Sequence, residues 1–285
     1  MSKSNLSLPD RSAIKELVSQ ALQEDIGSGD ITAALIDPST VTRARLICWE
    51  QAVLCGTAWF EQTFRQLDQD IEIDWSCHDG DQIDADCVVC RLTGRARHIL
   101  SAERTAINLL QTLSGTATTA RQYAEAVAGT GTRILDTRKT IPGMRLAQKY
   151  AVAAGGAHNH RIGLFDGILI KENHIAATGS VTAAVHRAQV AAPDCQLVEI
   201  EVESLVQLHQ ALDAGATRIM LDNFDLGMIR QAVTENRGRA ELEVSGSVTL
   251  EQVRKFAQTG VDFISIGALT KHVRAIDFSL RLENT

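Results

Sequence analysis

Seven cationic side chains crowd into one stretch of an acidic protein. Between Arg133 and His174 stand Arg133, Arg138, Lys139, Arg145, Lys149, Arg161 and Lys171, against only Asp136, Asp166 and Glu172. That is a local excess of four positive charges in a 285-residue chain of net charge −7. Adjacent cations such as Arg138 and Lys139 repel, so they need either solvent or a strongly negative partner. Arginine matches the two-pronged geometry of carboxylate and phosphate, and lysine adds a point charge. Arg133, Arg145 and Lys149 read as surface cations, whereas Arg138, Lys139, Arg161 and Lys171 read as a site for a small polyanion.

Two carboxylates further on complete the chemistry. Glu201 in EIEVE and Asp222 in MLDN can bind a metal, hold sugar hydroxyls, stabilise a cationic transition state, or simply pair with Lys171 or Arg161. Glu199 and Glu203 alternate on the same face as Glu201, so the three are not separable from sequence. Ser245-Gly246-Ser247 and Ser265-Ile266-Gly267 are small-residue turns whose N–H groups can approach a phosphate closely. His158 and His160 in HNHR have no acid or cysteine at fitting spacing for a metal site. Cys77-His78 with Cys87 and Cys90 lacks the second CxxC pair of a zinc site, so buried thiols are expected. Gly27-Ser28-Gly29 lacks the strand before a nucleotide loop and reads as a turn.

The elements that position these residues alternate. From residue 133 the β-type runs RILDT, GILIK, QLVEIEVE, RIMLDN, ELEVSG and FISIG are separated by helical patterns near 143–154, 178–191, 204–214, 225–236 and 249–259. Such alternation implies a parallel sheet closing toward a barrel. Lys171, Glu201, Asp222, Ser245 and Gly267 stand 30, 21, 23 and 22 residues apart, each near the end of its strand. Barrel enzymes place their chemistry on that face. Before residue 133 the pattern differs. A helix is expected over Arg11 to Glu24, strands over Arg43 to Trp49, Ile71 to Ser76 and Asp86 to Leu92, and a long helix starting at Ser101.

Composition narrows the function classes. Hydrophobic residues make up 45% and charged residues 22%, ordinary for a globular enzyme. A net negative chain argues against general binding to nucleic acid or anionic membrane. MSKSNLSLPDRS lacks a signal-peptide core, and no run approaches a membrane span, so a cytoplasmic protein with reduced thiols is expected.

The motifs EDIGSGDIT, ERTAINLLQTLSGTAT, ILDTRKTIPGMR, KYAVAAGGAHNHRIGLFDGILIKENH, EIEVE, MLDN, EVSGSV and ISIGALT closely resemble those of the quinolinate phosphoribosyltransferase family, over nearly the whole chain. The resemblance implies an α/β protein with an N-terminal α/β sandwich (1–115, with the tail 270–285 packing back on it) and a C-terminal incomplete α/β, TIM-like barrel (116–269). It implies transfer of phosphoribosyl from phosphoribosyl pyrophosphate to quinolinate with decarboxylation, on the route to NAD, with Mg2+ and in a homodimer or larger assembly. Carried over by position, Thr137, Arg138, Lys139, His160, Arg161 and Lys171 would line the anion pocket, and Arg104 would come from the partner subunit. Glu201 and Asp222 would serve the ribose and the metal-bound pyrophosphate, directly or through substrate-bound Mg2+. Ser245, Gly246, Ser247, Ser265, Ile266 and Gly267 would take the 5′-phosphate. Lys139, Lys171, Glu201 and Asp222 are the expected catalytic residues. Ser247 departs from the glycine or asparagine frequent in the family, which leaves it a backbone role.

Physical chemistry agrees with that reading. Two strongly anionic substrates meet only where a cationic wall cancels their repulsion. The pyridine nitrogen is itself the nucleophile, so no serine or cysteine is required. Three other readings compete: a barrel aldolase with Lys171 as Schiff-base lysine, a non-catalytic anion sensor, and a relative using another pyridine.

Overall fold

A computed structural model describes residues 6–191, 194–195 and 197–283. The chain divides into two compact units: residues 1–121, 140–156 and 270–285 form one, and residues 122–139 and 157–269 the other. The segment 140–156, which the expected boundaries place with the barrel, groups with the first unit.

The strands are β1 (Val41–Cys48), β2 (Ala52–Val53), β3 (Glu72–Trp75), β4 (Gln82–Ile83), β5 (Cys87–Arg95), β6 (Arg133–Leu135), β7 (Ile168–Ile170), β8 (Val198–Val202), β9 (Arg218–Asp222), β10 (Glu241–Ser245), β11 (Phe263–Ser265) and β12 (Phe278–Leu282). The helices are α1 (Arg11–Ile26), α2 (Thr57–Leu67), α3 (Ala96–Ala126), α4 (Arg145–Ala154), α5 (Glu172–Thr178), α6 (Val181–Ala191), α7 (Leu205–Asp213), α8 (Leu226–Asn236), α9 (Leu250–Ala257) and α10 (Ala268–Lys271).

In the first unit an antiparallel sheet of order β12-β1-β5-β3 buries Ala44, Leu46, Leu92 and Leu280 against Ile99, Ala106 and Leu110 of α3. A second core joins α1, through Ile14, Val18 and Leu22, to Trp59, Leu113 and Tyr150. The pairing of β12 with β1 ties the C-terminal strand into this sheet. Helix α3 begins at Ala96, five residues before the expected Ser101. The Ala96 N–H donates to the Thr40 carbonyl at 2.9 Å, so a backbone acceptor takes the place of a capping side chain. Helix α2 lies inside a region read only for strands; its buried Trp59, Phe60, Thr63 and Phe64 carry the helical spacing that would have revealed it.

The second unit is a parallel sheet of order β6-β11-β10-β9-β8-β7. Beyond β6 a single parallel bridge joins Leu135 to His158. Among the described residues no ladder links that segment to β7, so the barrel is incomplete there. The helical pattern expected over 178–191 is α6, which starts three residues later, and an additional helix, α5, precedes it and ends at Gly179, whose φ of 92° lies in the left-handed region. No helix among the described residues is long and apolar enough to cross a membrane.

Candidate active site at the strand ends

The C-terminal ends of the parallel strands gather most of the predicted site residues. Thr137, Arg138 and Lys139 follow β6, Lys171 follows β7, Glu201 is the penultimate residue of β8, and Asp222 and Ser245 close β9 and β10. His160 and Arg161 follow the His158 bridge beside β6. Arg104 is an exposed residue of α3 in the first unit.

Fully buried Asp136 anchors the His158 segment. Its N–H donates to the His158 carbonyl at 3.0 Å, while its carboxylate accepts from the His160 N–H at 2.8 Å and the Asn159 side chain at 2.7 Å. Arg161 then reaches across the open side of the barrel, and its Nη1 donates to the Gly167 carbonyl at 2.9 Å. Burial and the neighbouring Arg138 guanidinium both lower the Arg161 pKa. Two like charges held together in a partly desolvated place favour an anion between them.

Lys171 Nζ donates to Glu201 Oε2 at 2.5 Å. The Lys171 N–H donates to His174 Nδ1 at 2.9 Å, and the His174 N–H returns to the Lys171 carbonyl at 2.8 Å, so α5 begins with its lysine fixed in direction. Glu201 is 8% exposed, and burial of a carboxylate requires such a partner. It also lines a recess of about 180 Å³ with Glu172, Glu203 and Gln207. An acidic recess suits hydroxyl groups and repels phosphate.

The last two strands end in backbone. Asn223 adopts a φ of 56° and donates its N–H to the Ser245 carbonyl at 3.0 Å, while its side chain donates to Asp222 Oδ2 at 2.7 Å. Gly246 stands opposite with φ 140°, and a Cβ there would lie 3.0 Å from Asn223 Oδ1. The two turns therefore interlock only with glycine at that position. A Cβ at Gly267 would lie 3.0 Å from Lys139 Cδ and 3.6 Å from Thr137 Oγ1, so the cationic turn after β6 lies against the glycine after β11.

Not every predicted contact is on offer. Ser265 is buried with its hydroxyl toward the Val244 carbonyl at 3.4 Å, and the Ile266 N–H already donates to Leu135 at 2.8 Å. Of that triplet Gly267 is the least buried. His160 is 9% exposed, with its ring toward the buried Glu199 carboxylate.

Sequence reasoning missed what His160 faces. Its Nε2 lies 2.8 Å from Glu199 Oε2 and 3.7 Å from Glu243 Oε2. Arg218 pairs with Glu243 at 2.7 Å and Glu199 at 3.4 Å, and its guanidinium sits 3.9 Å above the Phe263 ring centre. Barrel interiors are usually aliphatic, yet Glu199 and Glu243 are fully buried here. Burial raises the pKa of both, Glu243 to about 7 with Glu199 contributing. His160, Glu199 and Glu243 have metal-ligand types at close range, but Arg218 already supplies the counter-cation.

Similarity to known proteins accords with this geometry. Residues 30–114 match "Quinolinate phosphoribosyl transferase, N-terminal domain" and residues 116–281 its C-terminal domain. The chain is 39% identical to a probable carboxylating nicotinate-nucleotide pyrophosphorylase of Bacillus subtilis, covering 94% of this chain and 92% of that one. It is 39% identical to a decarboxylating quinolinate phosphoribosyltransferase of Nicotiana tabacum, covering 95% of this chain and 82% of that one. The solved nicotinate-nucleotide pyrophosphorylase of Francisella tularensis superposes with a TM-score of 0.92 at 46% identity, over 97% of this chain and 98% of that one. The strand-end cations, the two carboxylates and the matched domains lead to one conclusion: the chain belongs to the quinolinate phosphoribosyltransferase family.

Proposed function

We propose that this protein joins quinolinate to the ribose of phosphoribosyl pyrophosphate and releases carbon dioxide and pyrophosphate, leaving nicotinate mononucleotide. The observation that carries the reading is the mutual proximity of Arg161 and Arg138 on a face that also holds the Lys171–Glu201 pair. The arginines and Lys139 bind the pyridine dicarboxylate and oppose the repulsion between the substrates. The pyridine nitrogen attacks the anomeric carbon as the bond to pyrophosphate breaks. Positive charge that builds on the ribose is stabilised by Glu201 and Asp222. The positive charge on the quaternised nitrogen then stabilises the electron pair that departing carbon dioxide leaves on the adjacent ring carbon, and that carbon uses the pair to take up a proton. No separate base is needed.

Magnesium binds through few carboxylates together with substrate phosphates. Asp222, half-exposed at a strand end, fits that role; Glu201, already paired with Lys171, fits a ribose hydroxyl better. When bound, the ion neutralises the pyrophosphate leaving group. The 5′-phosphate falls to the backbone of Gly246, Ser247 and Gly267. Exposed Arg104 completes the site from a partner subunit in a homodimer or larger assembly.

Incubation with phosphoribosyl pyrophosphate and either quinolinate or nicotinate tests the reading. Nicotinate mononucleotide from quinolinate alone supports it; formation from nicotinate alone would assign the other pyridine. Mixing inactive Arg104→Ala and Lys171→Ala proteins regains activity if subunits share sites, and absence of rescue after proven subunit exchange rejects sharing.

A further inference from the structure

The His160 ring is committed at both nitrogens. The Arg161 backbone N–H lies 2.7 Å from His160 Nδ1, and an amide N–H can only donate, so Nδ1 accepts. The proton of the neutral ring is then on Nε2, directed at Glu199 Oε2 2.8 Å away. The other oxygen of Glu199 faces Arg218 Nε at 3.4 Å. One carboxylate thus accepts from the ring and faces a guanidinium as an ion pair without a hydrogen bond, and it leaves the ring a single favourable tautomer.

Arg161 is in turn held at both ends. Its backbone is tied to His160 Nδ1, and its Nη1 to the Gly167 carbonyl. Gly167 cannot recede freely, since a Cβ there would fall 3.1 Å from Leu197 and 3.3 Å from Arg161 Cβ. The turn between is pinned by Asp166, which accepts from the Ile162 and Gly163 N–H groups at 2.7 and 2.8 Å. Reorienting the His160 ring would therefore shift the Arg161 backbone, and with it the guanidinium beside Arg138.

We infer that Glu199 is a positioning residue for the anion site, acting through the His160 ring on Arg161, and that neither ring nitrogen of His160 binds substrate. The inference rests on the reading of Arg161 as a substrate ligand, and it gives the buried charge cluster a role in the reaction. Glutamine at 199 removes the negative charge that faces Arg218 and has one acceptor oxygen and one NH2, so the NH2 must be set against either the guanidinium or the His160 Nε2 proton. Arg161 is a binding group in this reading, so its misplacement should weaken binding of the pyridine acid more than it slows the chemical step.

The first test reads the ring directly. Nitrogen-15 spectra of the wild-type protein should show an acceptor-type Nδ1 and a protonated Nε2 at His160, unchanged in chemical type when quinolinate saturates the site. A protonated Nδ1, or a ligand-induced change of tautomer, overturns the inference. The second test is kinetic. Glu199→Gln should raise the quinolinate KM about tenfold or more while kcat stays within about threefold. His160→Asn, whose carbonyl can take the Nδ1 position and accept from Arg161, should retain a lower KM than His160→Gln, whose amide reaches only the Nε2 position. The reverse order, or a wild-type KM in Glu199→Gln, overturns the inference. Should the wild type fail to turn over quinolinate, the functional reading falls and the spectrum still decides the geometry.

Discussion

Replacing Glu243 by glutamine should remove much of the protein's loss of stability between weakly acidic and alkaline pH. Glu243 is fully buried, and burial with the adjacent Glu199 carboxylate lifts its pKa from 4.5 to about 7, against the opposing pull of His160 and Arg218. The folded protein therefore holds this proton more tightly than the unfolded chain. Stability from that difference is fully present below pH 4.5 and is lost as pH rises toward 7. At about 1.4 kcal/mol per unit, the loss is about 3 kcal/mol. Glutamine keeps an oxygen for Arg218 Nη2, now 2.7 Å from Glu243 Oε2, and has no proton to lose. Urea unfolding at pH 5, 6, 7 and 8 reads the effect directly. The wild type should lose about 2.5 kcal/mol more than Glu243→Gln across that range, since part of the full loss falls below pH 5. Parallel pH profiles for the two proteins would refute the assignment of a buried, protonated carboxyl to this position.

Two further outcomes follow from the structure. Gly115→Ala should prevent soluble folding or cost more than ~3 kcal/mol, because its Cβ would lie 2.1 Å from the Arg274 carbonyl oxygen, a backbone atom; a melting temperature near wild type would show that the 274–275 segment yields easily. Quinolinate at a hundred times its Kd should stabilise the protein by about 2.7 kcal/mol; substitution of Arg138 or Arg161 by alanine should abolish that shift at the same concentration.

The strands of the second unit were legible because each is a short apolar run with a polar or small residue near its end, as in MLDN and EVSG. Lys171, Asp222, Ser245 and Gly267 could be placed near strand ends by that pattern, whereas Glu201 could not be told from Glu199 and Glu203. The inward cluster could not, because Glu199, Arg218 and Glu243 look in sequence like the alternating charges of a half-exposed strand. Only the register that sets Glu199 beside Arg218 reveals that they face each other. The direction of the His160 ring was hidden for a related reason: its motif marks it as functional, but its orientation depends on Glu199, 39 residues away. The early start of α3 escaped notice because its first N–H is satisfied by the Thr40 carbonyl, and a backbone acceptor leaves no residue signature.

We propose that one face of this barrel couples phosphoribosyl transfer to loss of a carboxylate. The most direct test is the simultaneous measurement of carbon dioxide and pyrophosphate released from quinolinate and phosphoribosyl pyrophosphate, with and without magnesium. The account predicts equal amounts of both, dependent on magnesium. Release of pyrophosphate without carbon dioxide, or of neither from folded protein, would contradict it.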